Sequence, residues 1–517
     1  MIVLFHDGVK PIKYKDTATK EEVFCNEKTI QKSLYKLSET YSNELLIWCH
    51  EDLSANINYK DIKSIFHHQL IFASYNVGSV GVISKDIGYV DQHCFINVKR
   101  EVQYPTWLMS GDIGGAYAAV IKQSQEIVLI SQSFGLYLSS FAKLSMPKGL
   151  FCYATPQLLK GDFENVKIES AIKNRLSFKF VRRHYKIEWV FILFFSLMYH
   201  QKKIYLGNLL MSLFVKRKLG NKISFKNVQV LSTKKKIDKE LFTVDVLIPT
   251  LGRKEHLYNV LKDLSKQTVL PEKVIIVEQN GLESSVSELD YLNNNWPFKI
   301  DHTFIHQLGA CNARNIALSK VTSNWVFFAD DDIRFDNDLL QKSFGYINDF
   351  GMSSFSISCL QKGEIESNKT HFQWGGFGTN ASLVESKYIK DCTFKPEHEF
   401  GYGEDNDFGM QLRNKGCDNL YIPYVKMLHL KAAIGGFRAK VHPKWEKEQV
   451  QPKPSPTVMA YNLKHITKEQ LKGYKLLLFL KFYNRQTIKN PFKYLKSFKQ
   501  RWNISVKWAT KLMEYEV

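Results

Sequence analysis

Three consecutive carboxylates, Asp330-Asp331-Asp332, follow an apolar run that extends from Trp325 to Ala329. A short apolar run of this kind is typical of a buried strand. Carboxylates crowded at the end of such a strand repel one another and are costly to remove from water. A hard cation such as Mg²⁺ or Mn²⁺ takes oxygen ligands and offsets that cost. The segment therefore predicts a divalent-metal site at the end of a sheet; taken alone, it is equally compatible with an Asp-rich surface loop.

Polar residues also end two other predicted strands. The run Val244-Asp245-Val246-Leu247-Ile248 ends in Pro249-Thr250, and Lys273-Val274-Ile275-Ile276-Val277 ends in Glu278. A helix-like segment follows Gly252-Arg253 between them, so strand, helix and strand within about thirty-five residues predict a βαβ unit of a parallel sheet. Ligands of such sheets bind at the carboxyl ends of the strands. We therefore expect these polar side chains and the three aspartates to share one site.

Three further segments carry candidate site residues. Arg314 lies in Gly309-Ala310-Cys311-Asn312-Ala313-Arg314-Asn315, which begins a predicted helix, and its guanidinium suits a nucleotide or its phosphates. Gly403-Glu404-Asp405-Asn406-Asp407 places acids at the start of another helix, where capping is the simpler explanation. His429 lies in a strand-like apolar run. A lone histidine there is more often a core residue, but a metal site upstream favours ligation.

The order of these motifs resembles that of family 2 glycosyltransferases with the GT-A fold. The resemblance covers roughly residues 241–440 and is carried by Ile248-Pro249-Thr250, Val277-Glu278, Asn312-Ala313-Arg314-Asn315, Asp330-Asp331-Asp332, Gly375-Gly376, Gly403-Glu404-Asp405 and His429. It implies an α/β fold with a Rossmann-like mixed sheet in the C-terminal half. It also implies a hexosyltransferase-type enzyme of polysaccharide biosynthesis that uses a nucleotide-sugar donor and Mn²⁺ or Mg²⁺.

The resemblance implies a role for each matching residue. Asp332 is the expected direct metal ligand, Asp330 faces the metal or the ribose, and His429 completes the coordination. Asp405 corresponds to the general base. Glu278 departs from the family's sequence pattern, because family members often have Asp at the end of this strand. The donor site would comprise Thr250, Arg253, Glu278, Arg314, Asp330 and Asp331, and the acceptor site Gly375, Gly376 and Glu404.

The expected reaction is metal-dependent, inverting transfer of a sugar to a hydroxyl of a glycan or a lipid-linked acceptor. A metal stabilises the departing nucleoside diphosphate, and a carboxylate removes the proton of the attacking hydroxyl. One alternative is a nucleotidyltransferase acting on a sugar phosphate, but Thr250-Leu251-Gly252-Arg253 has little glycine for that class. The other is a non-catalytic glycan-binding protein, against which the joint presence of Asp332, Asp405 and His429 argues.

The rest of the chain sets the domain plan. The 517 residues predict two to four domains, and 44% hydrophobic with 13% aromatic residues excludes a disordered protein. We predict an N-terminal α/β domain over 1–160, a helical linker region over 161–240, the transferase domain over 241–440 and a helical tail over 441–517.

Uncharged runs over 189–200 and 204–215 are short of the ~20 residues that span a bilayer, so they predict buried or interfacial helices. Eight scattered cysteines and no signal-peptide pattern predict free thiols and a cytoplasmic protein.

The N-terminal domain carries two weaker motifs. Trp48-Cys49-His50-Glu51-Asp52 ends a strand as a DxD motif would, and Gly111-Asp112-Ile113-Gly114-Gly115-Ala116-Tyr117 opens a helix-like stretch. These features faintly resemble a second, degenerate glycosyltransferase domain without a clear first nucleotide-binding strand and without a Glu-Asp helix. An acceptor-binding module and an unrelated scaffold remain open, and no second activity is assigned.

The net charge of +20 is concentrated near the C-terminus. Residues 431–517 contain 19 Lys and Arg and 5 Asp and Glu, a net of +14. Aromatic residues interleave with these cations, which favours an anionic membrane surface. The sequence contains no nucleic-acid-binding motif, and a solvated helical tail is the alternative. We therefore expect peripheral attachment to the cytosolic face of a membrane through the tail.

Overall fold

The computed structural model describes residues 1–78, 83–131, 133–161, 174–215, 217, 220–238, 242–431 and 442–514. Its contacts divide the chain into two units. The first comprises Met1–Lys235, Asp349–Gly351 and Thr467–Tyr474, and the second comprises Lys236–Asn348, Met352–Ile466 and Lys475–Val517. The predicted N-terminal domain and nearly all of the predicted linker region therefore fall in one unit. The last residues of the predicted transferase domain, 432–440, lie outside the described residues.

The first unit is built on an eight-stranded sheet with the strand order β3-β2-β1-β4-β7-β5-β8-β6. Its two central parallel strands, β1 and β4, are buried along their whole length, as expected for apolar runs covered on both faces. The strands are β1 (Ile2–His6), β2 (Pro11–Asp16), β3 (Glu22–Phe24), β4 (Leu45–His50), β5 (Ile71–Tyr75), β6 (Tyr104–Pro105), β7 (Ile113–Tyr117) and β8 (Phe151–Ala154).

The helices up to residue 213 include the two predicted from the apolar runs, α7 and α8, which contact each other and α6. No described helix is both long enough and apolar enough to cross a membrane. The helices are α1 (Ile30–Thr40), α2 (Ile62–Ile65), α3 (Ala118–Ile121), α4 (Gln125–Ile130), α5 (Phe134–Ser145), α6 (Asn174–His184), α7 (Ile187–Gln201) and α8 (Leu206–Leu213).

The second unit is built on a nine-stranded sheet with the order β11-β10-β9-β12-β16-β14-β17-β13, and β15 pairs with β17. Strands β11, β10, β9 and β12 run parallel to one another, and they include the predicted βαβ unit. The strands are β9 (Val244–Leu251), β10 (Lys273–Gln279), β11 (Lys299–Ile305), β12 (Trp325–Ala329), β13 (Ile333–Phe335), β14 (Ser354–Gln361), β15 (Phe372–Gln373), β16 (Ala381–Glu385) and β17 (Leu420–His429).

One apolar core holds the site-bearing elements of this unit together. It joins Leu247 of β9, Ile275 of β10 and Phe328 of β12 to Phe408 of the helix that carries the predicted base. The helices from residue 254 onward are α9 (Lys254–Ser265), α10 (Ala310–Leu318), α11 (Leu339–Phe350), α12 (Ser386–Ile389), α13 (Glu404–Arg413), α14 (Pro456–His465), α15 (Lys468–Tyr483) and α16 (Pro491–Glu514).

Three aromatic residues of the basic tail are buried in the protein. Helix α16 contacts α14, and its Tyr494, Phe498 and Trp502 are buried. The hydroxyl of Tyr494 donates to the carbonyl of Phe479 at 2.6 Å, and Ser505 donates to the carbonyl of Pro454 at 2.7 Å. The periodic aromatic residues therefore form the protein-facing side of α16, and many of its lysines stay exposed.

Five strands recur in the two sheets with the same order and the same directions. Strands β1-β4-β7-β5-β8 are joined by parallel, antiparallel, antiparallel and parallel pairings, as are β9-β12-β16-β14-β17. The registers also match, because Cys49 pairs with Ile113 as Ala329 pairs with Ala381. In this register His50-Glu51-Asp52 corresponds to Asp330-Asp331-Asp332.

The two sheets differ at the outer edge of the first strand. In the first sheet the antiparallel hairpin β2–β3 pairs with β1, whereas in the second sheet the parallel strands β10 and β11 extend outward from β9. The first unit does contain a first strand, β1, which the sequence reasoning did not identify. Among its described residues there is no counterpart of the parallel pair that carries Glu278 in the second unit.

Candidate active site

A cavity of about 490 Å³ opens at the carboxyl ends of β9 and β12, within the size range of small-ligand sites. Most of the residues predicted for the site line it: Thr250, Arg253, Arg314, Asp330, Asp331, Asp332, Glu404, Asp405 and His429. The sheet brings them together because parallel strands present their carboxyl ends at the same edge.

The middle aspartate is held by the first strand and the turn that follows it. Thr250 Oγ1 donates to Asp331 Oδ2 at 2.6 Å, and Arg253 Nη1 donates to Asp331 Oδ1 at 2.5 Å. The same guanidinium lies 3.1 Å from Asp332 Oδ2. Burial raises the pKa of Asp331 to about 6, against the opposing charge of Arg253. Arg253 therefore offsets part of the repulsion among the three carboxylates.

The outer two aspartates form a candidate metal site with His429. One ligand atom from each of Asp330, Asp332 and His429 lies within 4.8 Å of the others. The antiparallel pairing of β13 with β17 sets Ile333 opposite His429, and the backbone N–H of Leu430 donates to the carbonyl of Asp332 at 2.8 Å. Two carboxylates and one imidazole are suitable ligands for Mn²⁺ or Mg²⁺, so the donor set fits the predicted ion.

The charges of this group are mutually dependent. His429 Nε2 lies 3.3 Å from Asp332 Oδ1, and this hydrogen bond raises the pKa of His429. Burial raises the pKa of Asp330, although the guanidinium of Arg314 lies 3.2 Å from its Oδ1 and opposes that shift. The charge of Asp332 also raises the pKa of Asp330. Crowded carboxylates of this kind are the electrostatic setting that a divalent cation relieves.

The predicted base lies at the start of α13. Thr379 Oγ1 donates to Asp405 Oδ1 at 2.7 Å. Burial, and next the charge of Glu404, raise the pKa of Asp405 to about 7, while Arg314 and the Thr379 hydrogen bond lower it. A carboxylate with this proton affinity is suited to accept a proton near neutral pH.

Glu399 caps the start of α10. Its two carboxylate oxygens accept hydrogen bonds from the backbone N–H groups of Cys311 and Asn312 at 3.0 and 2.9 Å. Gly309 precedes them with a φ of +144°, and a side chain there would meet the Glu399 carboxylate at 2.5 Å. The positive φ therefore requires glycine at 309, and a side chain there would also displace the Glu399 carboxylate. Gln279 completes the group, because its Oε1 accepts from the N–H of Gly309 at 2.6 Å.

A second group of potential ligands lies behind the base, in Glu397, His398 and Asp407. Asp407 already has two partners from α14: His465 Nε2 at 2.6 Å and Lys464 Nζ at 3.3 Å. Burial raises the pKa of Asp407, but His398, His465 and Lys464 together hold it well below its usual range. The ammonium of Lys464 already balances a carboxylate in this cluster, which therefore functions as a buried ion-pair network joining α13 to α14.

Three predicted site residues have other neighbours. Glu278 accepts from Ser287 at 2.6 Å and lies 2.9 Å from His302 Nε2, and it does not line the cavity, whereas the adjacent Gln279 does. The carbonyl of Gly376 accepts from Asn419 at 2.9 Å. Neither Gly376 nor Gly375 is among the residues that line the cavity.

Several lining residues were not predicted from the sequence, namely Gln279, Thr379, Asn380, His398, Glu399 and Lys431. Gln279 is next to a predicted residue, and an alternation of side chains along β10 could have suggested it. Thr379 and Glu399 lie in irregular segments that carry no periodic signal. Their roles depend on contacts with α13 and α10.

Residues 245–396 match the family model of "Glycosyl transferase family 2". The second unit therefore contains a region that matches family 2 glycosyltransferases. The predicted family resemblance is confirmed over these residues, and the match supports the predicted enzyme class. No curated protein sequence matches the chain.

Solved structures similar to this chain include proteins in complex with UDP or UDP-GlcNAc. S. aureus TarS 1–349 in complex with UDP-GlcNAc is 15% identical over 50% of this chain and 81% of that chain, with a TM-score of 0.36. S. aureus TarS 1–349 alone is 15% identical over 37% of this chain, with a TM-score of 0.31, and the match spans 60% of its length. GalNAc-T7 with UDP, GalNAc and Mn²⁺ is 12% identical over 48% of this chain and 57% of that chain, with a TM-score of 0.33.

Proposed function

We propose that this protein is a metal-dependent, inverting glycosyltransferase that moves a hexose from a nucleotide-sugar donor to a hydroxyl of a glycan or lipid-linked acceptor. The observation that carries the proposal is one cavity that contains both the Asp330–Asp332–His429 group and Asp405, whose pKa is raised to about 7. Two cavity arginines, Arg253 and Arg314, add positive charge that suits a diphosphate.

Asp332 and His429, with Asp330, would hold the divalent ion. That ion supplies Lewis-acid stabilisation of the negative charge on the departing nucleoside diphosphate. Asp405 accepts the proton of the acceptor hydroxyl as that oxygen attacks the anomeric carbon. Thr379 holds the carboxylate of Asp405 in place, and Arg314 stabilises its charged form.

Inversion is supported by the chemistry of the other cavity side chains. Burial raises the pKa of the Cys311 thiol, so that thiol stays protonated and is a poor nucleophile. The hydroxyls of Thr250 and Thr379 are engaged as donors to Asp331 and Asp405. The thiol and these two hydroxyls therefore offer no activated nucleophile for a covalent sugar intermediate, which is compatible with direct displacement by the acceptor.

A panel of nucleotide sugars tests the proposal. The full chain is incubated with each donor in Mn²⁺ or Mg²⁺, and the released nucleotide and the anomer of the product are identified. Release of a nucleoside diphosphate with an inverted anomer is expected. Release of pyrophosphate would instead indicate the nucleotidyltransferase alternative, and binding without turnover of any donor would indicate a glycan-binding protein.

We also propose that the first unit is a degenerate copy of the catalytic sheet without a donor site of its own. The five matching strands and the shared register support this proposal. Helix α5 lies between β7 and β8 in the chain, as α13 lies between β16 and β17, and it begins Phe134-Gly135-Leu136 where α13 begins Glu404-Asp405-Asn406. A role in acceptor binding is compatible with this loss.

Peripheral attachment to a membrane through the tail remains a proposal. It is supported by the exposed lysines of α16, which include Lys493, Lys496 and Lys499. Tyr494, Phe498 and Trp502 do not support it, because they are buried. The attraction expected of the tail is therefore electrostatic and salt-sensitive.

A further inference from the structure

Helices α7 and α8 expose large apolar side chains in the first unit. On α7, Ile187, Phe191, Phe195 and Tyr199 are 42%, 38%, 52% and 70% exposed and follow one another at intervals of four residues. Leu210 on α8 and Phe214 directly after it are 50% and 88% exposed. We name these six residues the α7–α8 face. At roughly 200 Å² per large side chain, they expose roughly 700 Å², against about 300–600 Å² for the largest apolar patch of a typical monomer.

The opposite side of α7 is equally apolar but packed. Val190, Leu193 and Leu197 are at most 2% exposed. A surface helix of a soluble protein presents a polar outer side. Helix α7 instead has an apolar side toward the core and an apolar side toward the surroundings, so its composition requires a second apolar environment.

The charges around the face identify that environment. Residues 174–218 contain ten Lys and Arg and one acid, Glu188, a net of +9. Lys186, Lys202, Lys203 and Arg217 are exposed. A second copy of this face would bring like charges together, whereas anionic lipid headgroups would neutralise them around an apolar contact.

The dimensions indicate how the face meets a bilayer. Helix α7 has 15 residues and is about 22 Å long, which is short of the ~30 Å hydrocarbon core. Because its inner side is packed, α7 cannot turn to span that core without unfolding the unit. We propose that the α7–α8 face lies flat in the interface of an anionic membrane, with its apolar side chains below the headgroups and the flanking lysines among them.

This proposal concerns the first unit and does not depend on the proposed reaction. It also differs from the tail proposal, which relies on charge without an apolar contact. The test is therefore run without donor or acceptor. The full chain is sedimented with vesicles of phosphatidylcholine and with vesicles that also contain phosphatidylglycerol, over a range of salt concentrations.

The expected result is binding to the anionic vesicles with a salt-resistant component. Phe195→Ser/Phe214→Ser should reduce partition by roughly a hundredfold or more, since each of the two buried aromatic side chains contributes about tenfold or more. The matched control, Val9→Ser/Phe24→Ser, replaces residues that are 74% and 77% exposed in the same unit and should bind like the wild type.

Variants of the flanking lysines test the contribution of charge. Lys186→Glu/Lys203→Glu should weaken binding to anionic vesicles at low salt by more than about tenfold, since each basic residue at the surface contributes about fivefold. Lys28→Glu/Lys60→Glu makes the same change in net charge at exposed positions in the same unit and should have little effect. Thermal unfolding of all variants shows whether any loss reflects unfolding.

Three outcomes would overturn the proposal. The first is a wild-type chain that binds neither kind of vesicle. The second is full vesicle binding by Phe195→Ser/Phe214→Ser, combined with loss of binding in Lys493→Glu/Lys496→Glu/Lys499→Glu, which would assign attachment to the tail alone. The third is a concentration-dependent dimer in sedimentation velocity that the Phe195→Ser/Phe214→Ser change abolishes, which would assign the face to a second copy of the chain.

Discussion

The hydroxyl of Thr379 donates a hydrogen bond to Asp405, with 2.7 Å between Thr379 Oγ1 and Asp405 Oδ1. This bond stabilises the charged carboxylate, which burial and Glu404 disfavour. The proton affinity of the proposed base is therefore set by opposing contributions, and each of them can be changed separately.

Asp405→Asn is expected to lower turnover by about 10²–10⁴-fold, the usual contribution of a general base, with little change in donor affinity. In the wild type, activity should rise with pH through about 7, because only the deprotonated carboxylate accepts a proton. Thr379→Val removes a hydrogen bond that lowers the pKa, so the acid limb of its rate profile should move to higher pH. An active Asp405→Asn variant beside an inactive Glu404→Gln variant would contradict the assignment.

The same raised pKa predicts a pH-dependent stability. The pKa of Asp405 is about 3.8 in the unfolded chain and about 7 in the folded protein, so the folded protein binds this proton more tightly. The resulting stabilisation of the folded state is fully present below pH 3.8 and is lost as the pH rises through about 7. Asp405→Asn should therefore have a higher melting temperature than the wild type at pH 8, with a smaller difference at pH 5. A difference independent of pH would indicate that Asp405 is not the group responsible.

Removal of the metal should abolish transfer. EDTA is expected to stop the reaction and Mn²⁺ or Mg²⁺ to restore it, because Asp330, Asp332 and His429 form one group of suitable ligands. Asp332→Asn should lower turnover by at least about 100-fold and should also remove the metal-dependent thermal shift caused by a nucleoside diphosphate. Full activity in chelator would refute the metal assignment.

Asp52→Asn tests whether the chain has one donor site or two. Asp52 occupies the register position of Asp332 in the first sheet, but it is 57% exposed on its side chain and its neighbour is His50, 3.4 Å away. We expect donor hydrolysis and metal dependence to be unchanged in Asp52→Asn. A loss comparable to that of Asp332→Asn would mean that the first unit takes part in the chemistry.

Asp407→Asn should destabilise the protein by about 3–5 kcal/mol at pH 7, because it leaves the partners of a buried ion pair without a counter-charge. The pKa of Asp407 is lowered, so its stabilisation is present above the ordinary value of 3.8 and is lost as the pH falls below it. The control variant is Asp301→Asn, which removes a partly exposed ion pair with Lys320. Its loss should lower the free energy of unfolding by about 1 kcal/mol or less. Urea unfolding at pH 7 and at about pH 3, below the ordinary pKa of the carboxyl, measures both variants.

Trp502→Ala tests whether the tail is a structural part of the protein. The indole is 6% exposed, so truncation should cost about 3–5 kcal/mol of unfolding free energy. Phe492→Ala on the same helix removes a side chain that is 81% exposed and should change stability by about 0.5 kcal/mol or less. Equal, small effects of both substitutions would indicate a tail that does not pack on the protein.

The strand ends of the second unit were predictable because apolar runs end in polar residues there. Thr250 and Asp331, 81 positions apart in the chain, meet at 2.6 Å for the reason given by the sequence, since adjacent parallel strands end at one edge. Glu278 shows the limit of that reasoning. Neighbouring residues of a strand face opposite sides, and the run of apolar residues in β10 does not reveal that Gln279, and not Glu278, faces the cavity.

The contacts of Thr379 and Glu399 were not predictable, because irregular segments carry no period and their positions follow from tertiary packing. The tail shows a different limit. Aromatic residues at helical spacing on α16 predicted an apolar side correctly, but a sequence pattern does not distinguish packing against the protein from packing against lipid. Tyr494, Phe498 and Trp502 pack against the protein, while the comparable pattern of α7 stays exposed on one side.

The repeated five-strand core has a consequence for folding. Two similar sheets within one chain can exchange strands before either is complete, and such mispairing is a characteristic failure of repeat proteins. The hairpin β2–β3 pairs with β1 within the first 24 residues, so the free edge of that strand is occupied by local contacts as soon as the segment is synthesised. The corresponding edge of β9 instead stays unpaired until the parallel strand β10 has formed. The pairing of the β2–β3 hairpin with β1 thus occupies the edge for which strands of the second sheet would otherwise compete.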